Sequence, residues 1–231
     1  MKFQHLMATA LLFVALDSRA ALIHQFDLNG SLQDARSGKT LSTLGGKLEA
    51  GQYVFGANQG LYLELDKHLD SYTIDMAFRL DEIGGFRRLV DFKKQVSDSG
   101  LYTEGSAFRL YDYRTTGGSV AARAPTRMTI TRDSDKLFAL YQNGDLVFSL
   151  TDTNDIAALS TNFLYFFKDN GGSHSGEAAP GAVDFIHVYD NALGAAQVKA
   201  LPMPTAVAEP ASLGLMGAGL ALVGWTRRRK S

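Results

Sequence analysis

LFALYQNGDLVFSL, residues 137–150, is the stretch on which the fold turns. Two apolar, aromatic-rich runs flank Asn143-Gly144, and both of these residues tolerate positive φ. A two-residue type I′ turn at that dipeptide closes the run into a β-hairpin. Working outward, similar runs recur along the chain: GLYLEL (60–65), YTIDMAFRL (72–80), FRRLVDF (86–92), AFRLYDY (107–113), TRMTITRD (126–133), NFLYFF (162–167) and AVDFIHVYD (182–190). Each has strand length and is bounded by Gly, Asn or Asp. In 72–80 the alternation is explicit: Tyr72, Ile74, Met76, Phe78 and Leu80 share one face, while Asp75 and Arg79 point the other way. Only LGAAQVKAL (193–201) has helical character. Short strands at regular spacing predict an all-β antiparallel two-sheet sandwich.

The composition narrows the chemistry. The 231 residues carry 23 Lys and Arg against 24 Asp and Glu, a net charge of −1. Lys2, Arg19, Arg227, Arg228, Arg229 and Lys230 all lie near the ends, so the body between them is mildly acidic. Nucleic acid is therefore not an expected partner, since phosphate neutralisation needs clustered cations. The pairs Arg87-Arg88 and Lys93-Lys94 read as solvated strand ends. Cysteine is absent, which removes disulfides, thiolate catalysis and thiolate-bound zinc together.

The two ends read as addresses. Lys2, an apolar stretch over 6–16 and Ser18-Arg19-Ala20 make a secretory signal peptide over 1–20, cut after Ala20. At the other end, Ala211 to Trp225 is apolar and glycine-rich. As a helix it spans about 22 Å, short of the ~30 Å hydrocarbon core. Residues 226–231 follow as a basic cytoplasmic tail, and 202–210 form an extended linker.

Ala208-Glu209-Pro210, the hydrophobic helix over 211–225 and the Arg cluster together resemble the PEP-CTERM sorting signal of Gram-negative bacteria that make exopolysaccharide. The first Pro of the usual motif is replaced by Ala208, and Glu209 and Pro210 stand. The resemblance implies an exosortase as partner, a membrane-held intermediate through the C-terminal helix, and a final place at the cell surface or outside it. The body, 21–201, resembles laminin-G-like, concanavalin A-like jelly rolls. FDLNGSLQDARSG (26–38), FGANQGLYLEL (55–65), YTIDMAFRLDE (72–82), LYQNGDLV (140–147) and GAVDFIHVYDNALGAAQVKAL (181–201) carry that likeness.

Such jelly rolls include glycoside hydrolases, whose carboxylate pair stands on alternate strand positions. Glu64 and Asp66 are the nearest approach, but Leu69 occupies the place of the proton donor, so both read as solvent-facing strand residues. No Gly-x-Ser-x-Gly is present, and no histidine pair has metal-binding helical spacing. His187, in the last strand run, reads as an outward or edge residue. Asp27, Asn29 and Asp34 share one turn, and the resemblance brings the strand of Asp184 beside it. Together they are a candidate structural Ca²⁺ site, against which stands ordinary Asx turn formation. Weaker candidates for glycan contact are Tyr102, Tyr111 and Tyr113 as stacking faces, and Asp169 and Asn170 in the loop 168–181, which otherwise serves as a flexible tether. The expectation is an exported, non-catalytic binding or structural protein associated with extracellular polysaccharide. A jelly-roll hydrolase or lyase and a matrix protein without ligand are the alternatives.

Overall fold

The structure, a computed structural model, describes residues 20–170 and 176–202. The signal segment before Ala20, the sorting motif Glu209-Pro210 and the hydrophobic run 211–225 lie outside the described residues. Among the described residues no helix is long and apolar enough to cross a membrane.

Strands dominate. In chain order they are β1 (Leu22–Phe26), β2 (Ser42–Thr43), β3 (Lys47–Glu49), β4 (Gln52–Phe55), β5 (Leu61–Glu64), β6 (Tyr72–Leu80), β7 (Phe86–Asp91) and β8 (Gly100–Glu104). There follow β9 (Ala107–Tyr111), β10 (Thr116–Gly117), β11 (Thr126–Arg132), β12 (Leu137–Gln142), β13 (Asp145–Thr151), β14 (Phe163–Phe166), β15 (Gly181–Tyr189) and the short helix α1 (Ala195–Lys199). One sheet runs β13-β12-β11-β6-β15-β4-β3, with β1 also paired to β15. The other runs β10-β9-β8-β7-β14-β5-β2. The pairings are antiparallel, as the sequence predicts. Asn143 and Gly144 have φ of 53° and 85°, the double left-handed turn that sets Gln142 opposite Asp145.

The alternation in β6 decides which face is dry. Tyr72, Ile74, Met76, Phe78 and Leu80 join one cluster with Leu101 of β8, Leu110 of β9 and Leu164 and Phe166 of β14. Each such burial contributes about 1.5–3 kcal/mol, and together they clamp the two sheets face to face. Gly60 allows β5 to lie close against β14, since a Cβ there would stand 2.0 Å from the carbonyl oxygen of Phe166.

The outer face of the first sheet is closed by the chain itself. Asp75 of β6 is 1% exposed and receives two hydrogen bonds from Arg127 of β11, Nε at 2.9 Å and Nη2 at 2.7 Å. Thr129 donates a third at 2.7 Å, and Arg127 Nη1 reaches Leu201 O at 3.1 Å. Ala139 and Tyr141 of β12 pack there with Leu193 and Val198, and Ala20 and Leu201 lie against the same small cluster.

Candidate functional site

The outer face of the second sheet has no such cover from α1 or the segment around it, and its register assembles aromatic rings. Along β14 the apolar residues alternate in role. Leu164 and Phe166 enter the core, while Phe163 and Tyr165 face outward opposite Glu64 and Tyr62 of β5. The rings of Tyr62 and Tyr165 lie 5.4 Å apart at 25°, and Phe163 lies 6.4 Å from Tyr62 and 6.3 Å from Tyr165. All three are half-buried, so their faces are partly open to solvent. Lys94 holds its Nζ 4.2 Å above the Phe163 ring. A second group stands farther along the sheet. Phe86, Tyr102 and Tyr111 meet edge to face at 5.6–6.0 Å, with the Arg109 guanidinium 5.5 Å from both the Phe86 and Tyr111 rings. Glu104 pairs with Arg109 at 2.6 Å.

Between the two aromatic groups sits Arg88, and here the sequence expectation is corrected. It is no solvated strand end but is 1% exposed. Asp91 pairs with it through Nη1, Asp169 approaches Nε at 3.4 Å, Asp98 approaches Nη2 at 3.8 Å, and the Tyr102 ring covers it at 4.8 Å. A buried guanidinium is tolerable only with such compensation. A bulge between Arg88 and Val90 shifts the alternation, so that Leu89 and Val90 both enter the core and Asp91 emerges opposite Tyr165. Burial pushes the Asp91 carboxyl up, against hydrogen bonds from Gln95, Arg88 and Lys93. Asp169 also accepts from the N–H groups of Gly176 and Glu177, and so holds the far end of its loop to β7.

The other sequence candidates are spread through the fold. Tyr111 lies in the second aromatic group. Tyr113 does not: its hydroxyl donates to Asp152 at 3.3 Å and accepts from Asn154 N–H at 2.8 Å, which makes it a brace. Asp169 and Asn170, expected as exposed glycan contacts, are buried at 1% and 6% exposure because the Arg88 network draws that end of the loop inward. Glu64 and Asp66 are exposed as expected. Lys39 binds the Asp66 carboxyl and lowers its pKa, the opposite of what a proton donor needs.

Of the residues proposed for calcium, Asp27, Asp34 and Asp184 have side-chain partners of their own. Asp34 accepts from Gln25 N–H, Arg36 N–H, His24 Nδ1 and the Ser37 hydroxyl. Burial pushes that carboxyl up, but the four hydrogen bonds outweigh it and hold the pKa at about 2. Asp27 meets His187 Nε2 at 3.0 Å, which places His187 at the β1 edge of its strand. Asn29 is exposed. Asp184 sits in a bulge of β15, bonded to Gln52 of β4 rather than to the opening turn. Among the described residues no group of three or more His, Asp or Glu is placed to hold a metal ion.

Comparison with known proteins fits this architecture. The laminin G model described as concanavalin A-like lectin/glucanases superfamily matches residues 55–199, from the end of β4 through α1. No curated protein matches the chain. Among solved structures, Trypanosoma rangeli sialidase superposes with a TM-score of 0.61 at 14% identity, over 77% of this chain and 32% of that one. Domain 4 of AbnA, a GH43 extracellular arabinanase from Geobacillus stearothermophilus, solved with arabinotriose, gives 0.59 at 14% identity, over 78% of this chain and 97% of that one. The binding domain of Paraclostridial Mosquitocidal Protein 1 gives 0.51 at 15%, over 77% and 51%. The chain thus spans about a third of the sialidase and nearly all of the arabinanase domain. The expectation of a non-catalytic protein is corrected on this ground: the same fold occurs within a sialidase and a GH43 arabinanase, at 14% identity, so the sandwich does not separate this chain from glycoside-processing enzymes.

Proposed function

Because the chain belongs to the concanavalin A-like lectin/glucanases superfamily, we propose that its open aromatic face recognises a polysaccharide chain, in the service of glycoside processing outside the cell. The observation that carries this reading is the row of Tyr62, Phe163 and Tyr165, three part-exposed rings within 38° of parallel. Sugar rings present flat C–H faces that stack on such surfaces, and the hydroxyls of Tyr62 and Tyr165 supply hydrogen bonds at the edge. The structure solved with arabinotriose is that of an arabinanase domain of the same fold, and it supports the substrate class.

Export and sorting belong to the same proposal. The segment 1–20 delivers the chain across the inner membrane and is cut after Ala20. Glu209-Pro210 with the run 211–225 then presents it to an exosortase. The support is the order of cationic, apolar and small residues at one end and of Glu-Pro, apolar run and Arg cluster at the other. Affinity electrophoresis of the full chain through gels containing arabinan, glucan or galactan tests recognition, with reducing-end release assayed on the same polymers. Retardation by at least one polymer, weakened in Tyr165→Ala, is the expected result. Unretarded migration in every gel would sink the proposal.

A further inference from the structure

At one end of the sandwich four connections meet around an open cavity of about 520 Å³, within the range of small-ligand sites. The turn after β5 brings His68 and Asp70, Lys93 stands two residues after β7, Arg132 ends β11 with Lys136 beyond it, and the segment before β14 brings Asp155. Three cations, Lys93, Arg132 and Lys136, therefore face two lining carboxylates, with the buried Asp152 behind them on Arg132 Nε at 3.0 Å. Both carboxylates are engaged: Asp70 with His68 Nε2 at 3.0 Å, Asp155 with Arg132 Nη2 at 2.7 Å and Lys136 Nζ at 2.8 Å. Lys93 is the cation left over. Among the described residues no carboxylate lies within ion-pair distance of it, and its Nζ donates only a long bond of 3.3 Å to Ala158 O. Burial holds its ammonium below the usual lysine range even though Asp152, Asp155 and Asp91 act from a distance to raise it, so an anion in direct contact would relieve the part they leave. The next residue, Lys94, leans on Phe163, which joins the cavity to the aromatic row.

We infer that this cavity is a subsite for a sugar bearing a carboxylate, a uronic acid unit of the chain that lies across Tyr62, Phe163 and Tyr165, with Lys93 receiving the charge. The inference rests on the glycan reading of that face. Asp70, Asp155, Ser134 and Ser160 line the same space and accept or donate to ring hydroxyls. A dianionic phosphate is disfavoured there, since the two carboxylates repel the second charge. A singly charged, polyhydroxylated ring uses every group present.

The test is titration of the full chain, its lysines carrying ¹³C-methyl groups, with galacturonate and with galactose, beside gel retardation by polygalacturonate and by neutral arabinan. Galacturonate should shift the Lys93 signal while galactose leaves it in place. Lys93→Met, which keeps the aliphatic stem, should weaken polygalacturonate binding by about tenfold, the loss of one charge-assisted hydrogen bond, and leave arabinan retardation unchanged. Lys136→Ala serves as a second variant at the exposed rim. If arabinan is retarded but galacturonate leaves Lys93 unmoved, the subsite is refuted and the aromatic face stands. If galacturonate shifts Lys93 while no polymer is retarded, the subsite stands and the polysaccharide reading of the face fails. Equal binding of polygalacturonate by the wild type and Lys93→Met refutes the subsite outright.

Discussion

The two outer faces of the sandwich are built from the same kind of alternating strand, yet one is closed and the other open. On the first sheet, Asp75, Arg127 and Thr129 form a saturated polar knot, and Leu193, Val198 and Leu201 lie over its neighbours. On the second, Tyr62, Phe163 and Tyr165 show part of their rings to solvent, and among the described residues Lys94 rests on Phe163. The inward-facing residues of both sheets join one apolar cluster. A short segment around α1 decides the difference: among the described residues it covers one face and not the other. Polar groups on the capped face serve stability, because they must find partners within the chain. Rings on the open face are free to serve recognition.

That contrast can be broken in order of effect. Asp75→Ala strips the buried Arg127 guanidinium of its carboxylate and should destabilise the protein by about 3–5 kcal/mol in urea unfolding. A loss below about 1 kcal/mol would show that the knot is not sealed from water. Asp34→Asn, at the β1 edge of the same sheet, should cost about 2 kcal/mol at neutral pH. Because the folded pKa is depressed to about 2, this stability is present above the ordinary carboxyl range and lost as pH falls from about 4 toward 2. Acid unfolding of the variant should therefore be flatter over that window than that of the wild type.

On the open face the readout changes from folding to binding. Tyr165→Ala should weaken retention by a recognised polymer about tenfold, with unfolding displaced by no more than about 1 kcal/mol. A large stability loss with unchanged binding would reverse the roles assigned to the two faces. The smallest effect belongs to Lys199→Ala, which removes an exposed pair with Asp145. Thermal melts should move by less than about 0.5 kcal/mol equivalent.

The elements legible in the sequence are those fixed by neighbours along the chain. The hairpin at Asn143-Gly144 and the alternation of β6 are local signals, and both stand in the structure. β1 and β4 gave no such signal, being short and paired with β15 far off in sequence, and β8, though it pairs with its neighbours β7 and β9, is only five residues long and begins on a glycine. Arg88 was misread for the same reason, since its partners Asp98 and Asp169 arrive from two separate loops. The aromatic row was partly within reach. NFLYFF alternates Phe163 and Tyr165 with Leu164 and Phe166, but nothing local reveals that Tyr62, a hundred residues earlier, lies alongside.

Ala20 and Leu201 rest in one small cluster on the capped sheet, and this has a consequence for presentation. Both residues thus stand on the closed side of the sandwich. A support that held the chain at either residue would sit behind it like the strap of a shield, with the tyrosine rings on the opposite side.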